Sequence, residues 1–301
     1  MTGEVSSAPR FSVVIPSYER PRQLDACLRA LSAQQYPTSA FEIIVVDDGS
    51  AQPPREIVSR FASNVRVRLL EQRNAGPAAA RNSGASAARG DHVVFTDDDC
   101  LPDPLWLAAL SACVAENPDA AVGGRIDNGL PRRICSTASQ MLIEFLYRHY
   151  NCTEQSTFLV TANVAFPRLM FASLGGFDAS FPLAAGEDRD LCERWVNAGH
   201  AMTYTNKAIV AHAHDLNLVG YCKQHFNYGR GAHHLHRARA RRGMRKLRIE
   251  SLHFYAQLII APFRSETTMR AIGLSALLLI SQWSYAVGYA LERVRMRRVP
   301  E

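Results

Sequence analysis

The sequence predicts an α/β protein built on a doubly wound, mostly parallel sheet, with a helical, basic and apolar extension towards its C-terminal end. Three observations carry that expectation. Short apolar runs rich in Val, Ile and Phe alternate with stretches of helical spacing over the first hundred residues, which is the pattern of parallel strands joined by helices. Two of the runs end in carboxylates, Asp47-Asp48 and Asp97-Asp98-Asp99, and ligands of open α/β sheets lie off the carboxyl ends of the strands. The charge is also split. Residues 201–301 carry 16 Lys/Arg against 5 Asp/Glu, a net of +11, whereas the first 200 residues are net −5.

With 301 residues and 47% hydrophobic composition the chain can bury a sizeable core, as one large domain or two small ones. Met1–Arg10 is polar and runs straight into Phe11-Ser12-Val13-Val14-Ile15, so no signal peptide is expected. Cysteines at 27, 100, 113, 135, 152, 192 and 222 show no Cys-x-x-Cys spacing. An odd, unpatterned set predicts reduced thiols in a cytosolic protein rather than a disulfide framework or a zinc site.

Taken in order, Phe11–Pro16 reads as a strand running into Ser17-Tyr18, and Leu24, Cys27, Leu28 and Leu31 recur at helical spacing. Phe41–Val46 is a second strand, closed by Asp47-Asp48-Gly49-Ser50. A helical stretch over 57–61 leads to a third strand, Val65–Leu70, and to the loop Arg73-Asn74-Ala75-Gly76-Pro77. The Ala-rich run Ala78–Ala88 predicts a helix carrying Arg81 and stopped by Gly90. A helix N-terminus and an arginine suit a phosphate. The fourth strand, His92–Phe95, delivers the acidic triplet. No G-x-G-x-x-G follows the first strand and no G-x-x-x-x-G-K-[ST] occurs anywhere, which removes the main support for dinucleotide and P-loop readings.

The triplet is the chemical centre of the pattern. Strand alternation would send Asp97 and Asp99 to one side and Asp98 to the other. Carboxylates this close raise one another's pKa unless a positive charge neutralises them. A hard divalent ion, Mg²⁺ or Mn²⁺, completed by phosphate oxygens of a substrate, is the natural partner. Helix capping is the plain alternative, but Asp103-Pro104 already supplies a cap and a first-turn proline for the next helix.

Pro16-Ser17-Tyr18, Val45-Val46-Asp47-Asp48-Gly49-Ser50, Asn74-x-Gly76, Ala80-Arg81-Asn82-x-Gly84 and the Asp triplet resemble, in order and spacing, family 2 glycosyltransferases of the GT-A fold. The second half continues the likeness through Thr161-Ala162-Asn163, Gly175-Gly176-Phe177-Asp178, Gly186-Glu187-Asp188-x-Asp190-Leu191 and Val210-Ala211-His212. The resemblance covers roughly residues 11–215. It implies a catalytic domain over 1–215 followed by an extension over 216–301. It also implies a nucleotide-diphosphate-sugar donor (UDP, GDP or dTDP) near Pro16, Tyr18, Glu19, Asn74, Gly76, Arg81, Asp97 and Asp98, with Asp47 and Asp48 by the base and ribose. Asp97, Asp99 and His212 would hold the metal, with His214 a rival two residues on. Asp188 resembles the general base that deprotonates an acceptor hydroxyl, with Glu187 orienting the site and Asp190 read as a helix cap. The implied reaction is inverting transfer of a single sugar to a hydroxyl of a lipid-linked or glycan acceptor. Two alternatives stay open: a sugar nucleotidyltransferase, and a catalytically silent nucleotide-sugar-binding scaffold. Glu187-Asp188 and the lack of a Gly-rich N-terminal loop weigh against the first, and an intact Asp188 against the second.

Gln224-His225-Phe226-Asn227-Tyr228 stands where processive members of that family carry Gln-x-x-Arg-Trp, and the change to Asn-Tyr favours single-sugar transfer. His225, His233, His234 and His236, with Arg237, Arg239, Arg241, Arg242, Arg245, Lys246 and Arg248, read as a basic face. Aromatic interleaving is thin, so an anionic membrane surface is expected as partner and nucleic acid is not. Ala271–Ala290 is about long enough to span a bilayer. However, a single span would set Arg293, Arg295, Arg297 and Arg298 against the topology a cytosolic donor needs. An interfacial or packed helix is expected, on a protein peripheral to the inner face of the cell membrane.

Overall fold

Apolar runs interrupted only near their starts, at Ser12 and Glu42, make Phe11–Ser17 (β1) and Phe41–Asp47 (β2) almost wholly buried strands, as in a parallel sheet covered on both faces. The computed structural model describes residues 10–151, 156–181, 183, 185–244 and 250–297. Between and after these strands come Pro21–Ser32 (α1), Arg55–Ser59 (α2), Val67–Glu71 (β3), Pro77–Ala87 (α3), His92–Phe95 (β4), Cys100–Pro102 (β5), Trp106–Glu116 (α4), Ala121–Asn128 (β6) and Ile134–Tyr150 (α5). The chain continues through Val164–Pro167 (β7), Arg168–Ser173 (α6), Glu187–Asn197 (α7), Met202–His212 (β8), Leu218–Arg241 (α8), Leu252–Ile260 (α9) and Thr268–Arg297 (α10).

Among the described residues, eight strands form one sheet in the order β3-β2-β1-β4-β7-β6-β8-β5. The first four are parallel, as the sequence predicts. β7 runs antiparallel to β4 and β6, β6 and β8 are parallel, and β5 closes the edge antiparallel to β8. Leu24, Leu28 and Leu31 of α1 and Trp106 and Leu110 of α4 cover one face, over Val13, Ile15 and Val45. Ala78 and Ala80 of α3, Phe171 of α6 and Trp195 of α7 cover the other, over Val14, Ile44, Phe95 and Phe166. A separate cluster of Cys135, Ala138, Tyr221, Leu274 and Leu277 joins α5, α8 and α10.

Several local expectations shift. The helix after the triplet starts at Trp106, because Asp103 spends its carboxylate on Leu105 N (2.9 Å) and its carbonyl on Trp106 N (2.9 Å). Gly90 lies beyond the end of α3, and its role is close approach: a Cβ there would meet Ser12 N at 2.7 Å. His225 and His233 are buried rather than on a basic face, since α8 lies along α10. There Gly229 and Gly288 let the helices touch, each presenting bare backbone to a carbonyl of the other helix, Tyr285 O and Phe226 O. Arg239 and Arg242 of the expected basic face are paired with Glu193 and Asp190 of α7. Met1–Pro9, Cys152, Arg245, Lys246, Arg248 and Arg298 lie outside the described residues. The other six cysteines are unpaired.

Candidate active site

The cleft lies where the strand ends meet. Ser17 and Asp47 are register partners at the ends of β1 and β2, and β4 ends beside them with the triplet just beyond. The triplet does not obey strand alternation, because β4 stops at Phe95 and Asp98-Asp99 sit in a turn. Each carboxylate therefore takes its own partners. Asp97 accepts from Arg81 Nη2 at 2.8 Å. Asp98 accepts from Ser17 Oγ at 2.9 Å and Arg20 Nη1 at 3.2 Å. Asp99 takes the same Arg20 nitrogen at 3.0 Å and lies 3.0 Å from His212 Nε2.

His212 arrives through the sheet. Cys100 of β5 is the register partner of His212 in β8, and Ala213 N donates to Asp99 O at 2.8 Å. The ligand atoms of Asp97, Asp99, Cys100 and His212 all lie within 4.8 Å of one another. Burial opposes ionisation of Asp99, but His212 and Arg20 outweigh it and hold the carboxyl well below the usual range. Burial likewise works against a charged His212, and the bond to Asp99 overrides it, raising the imidazole above its ordinary value. Burial pushes Asp98 up to about 7 against the pull of Arg20. Asp97 is the triplet's opening, with its side chain 26% exposed. Two oxygen donors and an imidazole around that opening suit Mg²⁺ or Mn²⁺. Cys100 is buried and its thiol is raised by burial and by Asp97, so it is poorly suited to act as a thiolate ligand. His214 stacks on His212 with ring centres 5.0 Å apart, and burial followed by His212 lowers it to about 4.

Glu187 and Asp188 open α7. Gly186 takes φ +90° as the residue before the helix, a backbone that favours glycine. Glu187 Oε1 accepts from Arg81 Nη1 at 3.0 Å, and its Oε2 is buried with no hydrogen-bond partner among the described residues. Asp188 accepts from Arg189 N at 2.7 Å. Burial, chiefly, pushes both carboxyls upward, with Asp188 adding to the rise of Glu187 and Arg81 pulling against both. Arg81, itself buried, thus ties Asp97 to Glu187 across 90 residues of sequence. Asp190 is not a cap: it is fully buried between Arg194 and Arg242.

One cleft of about 1970 Å³ gathers most of the residues singled out in the sequence. Pro16, Tyr18, Asp48, Asn74, Gly76 and Arg81 line it, as do the triplet, Glu187, Asp188 and His212. Asp48 is spent on structure, accepting from Gln72 Nε2, Ala75 N and Gly76 N at 2.7–2.9 Å, which shapes the loop before α3. Asp47 and Glu19 lie outside the lining. Asp47 Oδ1 is buried with no partner among the described residues. Glu19 accepts from Ala51 N at 2.6 Å and so clasps the β1 and β2 loops together. Arg20 and Ser17, which neutralise and hold Asp98, were not legible as site residues: the nearest partner of each is about 80 positions away. Tyr228 was singled out only for its place in a motif. It lies in the cleft wall, held by Gln224 Nε2 at 2.5 Å, with Asp188, Glu187 and Asp97 near its hydroxyl.

The family profile described as "Glycosyl transferase family 2" matches residues 12–175. Glycosyltransferase AglE of Haloferax volcanii is 28% identical over 211 residues, which is 69% of this chain and 68% of that protein. Other curated relatives are longer, and the matches take up 19–56% of their length. Among solved structures, the mannosyltransferase PcManGT from Pyrobaculum calidifontis, in complex with GDP-Man and Mn²⁺, superposes with a TM-score of 0.65 at 20% identity, covering 97% of this chain and 88% of that one. S. aureus TarS 1–349 in complex with UDP-GlcNAc gives a TM-score of 0.56 at 15% identity, covering 96% and 92%. At such identities the structural likeness shows the fold, and that fold is GT-A.

Proposed function

The chain belongs to glycosyl transferase family 2, and on that premise we propose an inverting enzyme that moves one sugar from a nucleotide-diphosphate donor to an acceptor hydroxyl. The observation that carries the proposal is the Arg81 bridge. It fixes Asp97, on the metal side, and Glu187, beside Asp188, at two walls of one cleft. Asp97 and Asp99, with His212, would hold Mg²⁺ or Mn²⁺, and the ion's chemistry there is to stabilise the charge on a leaving diphosphate. PcManGT binds GDP-Man with Mn²⁺, which supports the same pairing here.

The chain's own residues divide the rest of the work. Pro16, Tyr18, Asn74, Gly76 and Asp98 form the donor wall, with Asp48 holding its loop and Glu19 its edge; Asp47, buried outside the lining, would back that wall rather than touch the base and ribose. Asp188 accepts the acceptor's proton as the hydroxyl oxygen bonds to the anomeric carbon, while the bond to the diphosphate oxygen breaks and the leaving group keeps the electron pair. Attack from the face opposite the nucleotide inverts the centre. A base works best with its pKa near the working pH, which fits the upward shift of Asp188. Glu187 is a positioning residue acting through Arg81. The acceptor side, bordered by 216–301, would work at a membrane surface.

The test compares Asp188→Asn with Glu187→Gln, using one working donor–acceptor pair. Asp188→Asn should lose about 10²–10⁴ in kcat with donor affinity little changed. Glu187→Gln should lose less. A dead Glu187→Gln beside an active Asp188→Asn swaps the roles, and full activity in both removes the base from α7. Release of inorganic pyrophosphate from a nucleoside triphosphate and a sugar phosphate would instead establish a nucleotidyltransferase.

A further inference from the structure

The cleft is larger than a nucleotide sugar requires. Sites for single small ligands run to roughly 300–1,000 Å³, against about 1970 Å³ here. The carboxylates and Tyr228 account for one end. The other end is lined by Ile143 and Leu146 of α5, Phe254 and Ile259 of α9, and Leu279 and Trp283 of α10, with Tyr150, Gln282 and Tyr285 of the same helices; the aliphatic side chains there offer nothing to a phosphate. The wall is open outward, because Trp283 is 73% exposed and Leu279 49%. Trp283 also lines a shallow depression on the outer side of α8 and α10 with Phe226 and Val287.

We propose that this far end is an acceptor subsite for a hydrocarbon chain, so that the acceptor is an amphiphile with its hydroxyl head at Asp188 and its tail between α5, α9 and α10. The proposal rests on the cleft being the site of sugar transfer. Three features support it together. The apolar channel is continuous with the carboxylate pair. Its room is additional to the donor's. Its mouth is a tryptophan that joins the channel to an apolar helix surface, through which a chain held in a lipid or micelle phase can pass sideways without crossing water. The hydroxyls of Tyr150, Tyr285 and Tyr289 in the same lining would serve the acceptor's polar head, and a glycan acceptor in place of a hydrocarbon one would give a binding series independent of chain length.

The experiment uses the full chain and n-alkyl β-D-glucosides of six to nine carbons, below their micelle concentrations, titrated by calorimetry with and without nucleoside diphosphate and Mn²⁺. Each added CH₂ should tighten binding about three- to four-fold, the factor for burying one methylene (~0.8 kcal/mol). Nucleotide should leave that series intact. Ala286→Phe, which narrows the channel from an exposed helix position, should flatten the dependence on chain length. Leu291→Ser, on α10 outside the cleft, should leave it unchanged. A flat series in the wild type, displacement of the glucoside by nucleotide, or sensitivity to Leu291→Ser in place of Ala286→Phe would each overturn the subsite. If nucleoside diphosphate itself fails to bind, it is the glycosyltransferase site that has failed. Retained nucleotide binding with a flat series sinks only the hydrocarbon subsite.

Discussion

At the scale of single residues, the site is a set of buried charges balanced against each other, and that balance sets its pH behaviour. Asp98 is raised to about 7. The folded state therefore binds a proton that the unfolded carboxyl, with its pKa of about 4, has already lost, and stability falls as pH rises between those values. His212 is raised too, so its contribution is present below about 6.5 and is lost as pH rises through its folded value. Both effects run the same way. His214 and His225, both lowered to about 4 by burial, oppose them only below about pH 6.5, so without metal the melting temperature should fall from pH 6.5 to pH 8. Asp98→Asn should recover part of that loss, with each kcal/mol worth about 2–4 °C. A flat profile in the wild type would show that Arg20 and Ser17 compensate Asp98 fully. Mn²⁺ should act in the opposite sense, because a metal ligand must be deprotonated: calorimetric affinity should climb with pH through the His212 titration. In Asp99→Asn, metal-dependent nucleotide binding should disappear with the fold intact, and unchanged binding there would remove the triplet from the metal site.

At the scale of elements, two contacts decide whether the site is assembled. One is the short β5–β8 ladder, which sets His212 against Asp99. The other is the crossing of α8 and α10, where a Cβ on Gly229 would lie 1.9 Å from Tyr285 O and one on Gly288 2.0 Å from Phe226 O. Neither clash falls on the end of a flexible side chain, so the helices themselves would have to part. Gly229→Ala should cost about 1–3 kcal/mol, the usual range for overpacking, and should expose α10 to limited proteolysis. Since Gln282, Tyr285 and Tyr289 of α10 line the cleft, alkyl glucoside binding should weaken with it, while nucleotide binding on the strand side persists. An unchanged melting temperature would mean that the crossing is looser than its geometry indicates. The ion pair of Glu292 with Arg230, at 2.6 Å, clamps the same two helices nearby.

At the scale of the whole molecule, a sheet domain with carboxylate-rich strand ends carries a helical annex of opposite charge balance. By length and composition α10 could cross a membrane, and 39% of its most apolar window is buried within the fold. Its open side shows Trp283, Leu291 and Val294, followed by the exposed Arg293, Arg295 and Arg297. Vesicles containing anionic lipid should float with the protein at low salt and release it at high salt, because headgroup attraction is screened over about 8–10 Å at 0.1–0.15 M. Flotation that resists salt and needs detergent for release would mean that α10 inserts. Pairing of Arg239 and Arg242 with α7 leaves less free charge than the sequence promises, so the attraction should be modest.

The sequence by itself determined the parallel half of the sheet and the positions of the two carboxylate clusters, because strand periodicity and short motifs are local and survive without a fold. It also marked Glu187-Asp188 and His212, through resemblance rather than physics. Only the tertiary structure decided which carboxylate meets which cation. Arg20 serves Asp98 and Asp99, and Arg81 serves Asp97 and Glu187, pairings that join residues up to 106 positions apart. It alone turned Asp48 and Asp190 from candidate ligand and cap into structural anchors, and buried histidines that read as a basic face. The apolar end of the cleft belongs to the same class. Its walls come from α5 and, about a hundred residues further along the chain, from α9 and α10, and only their packing against one another encloses a channel.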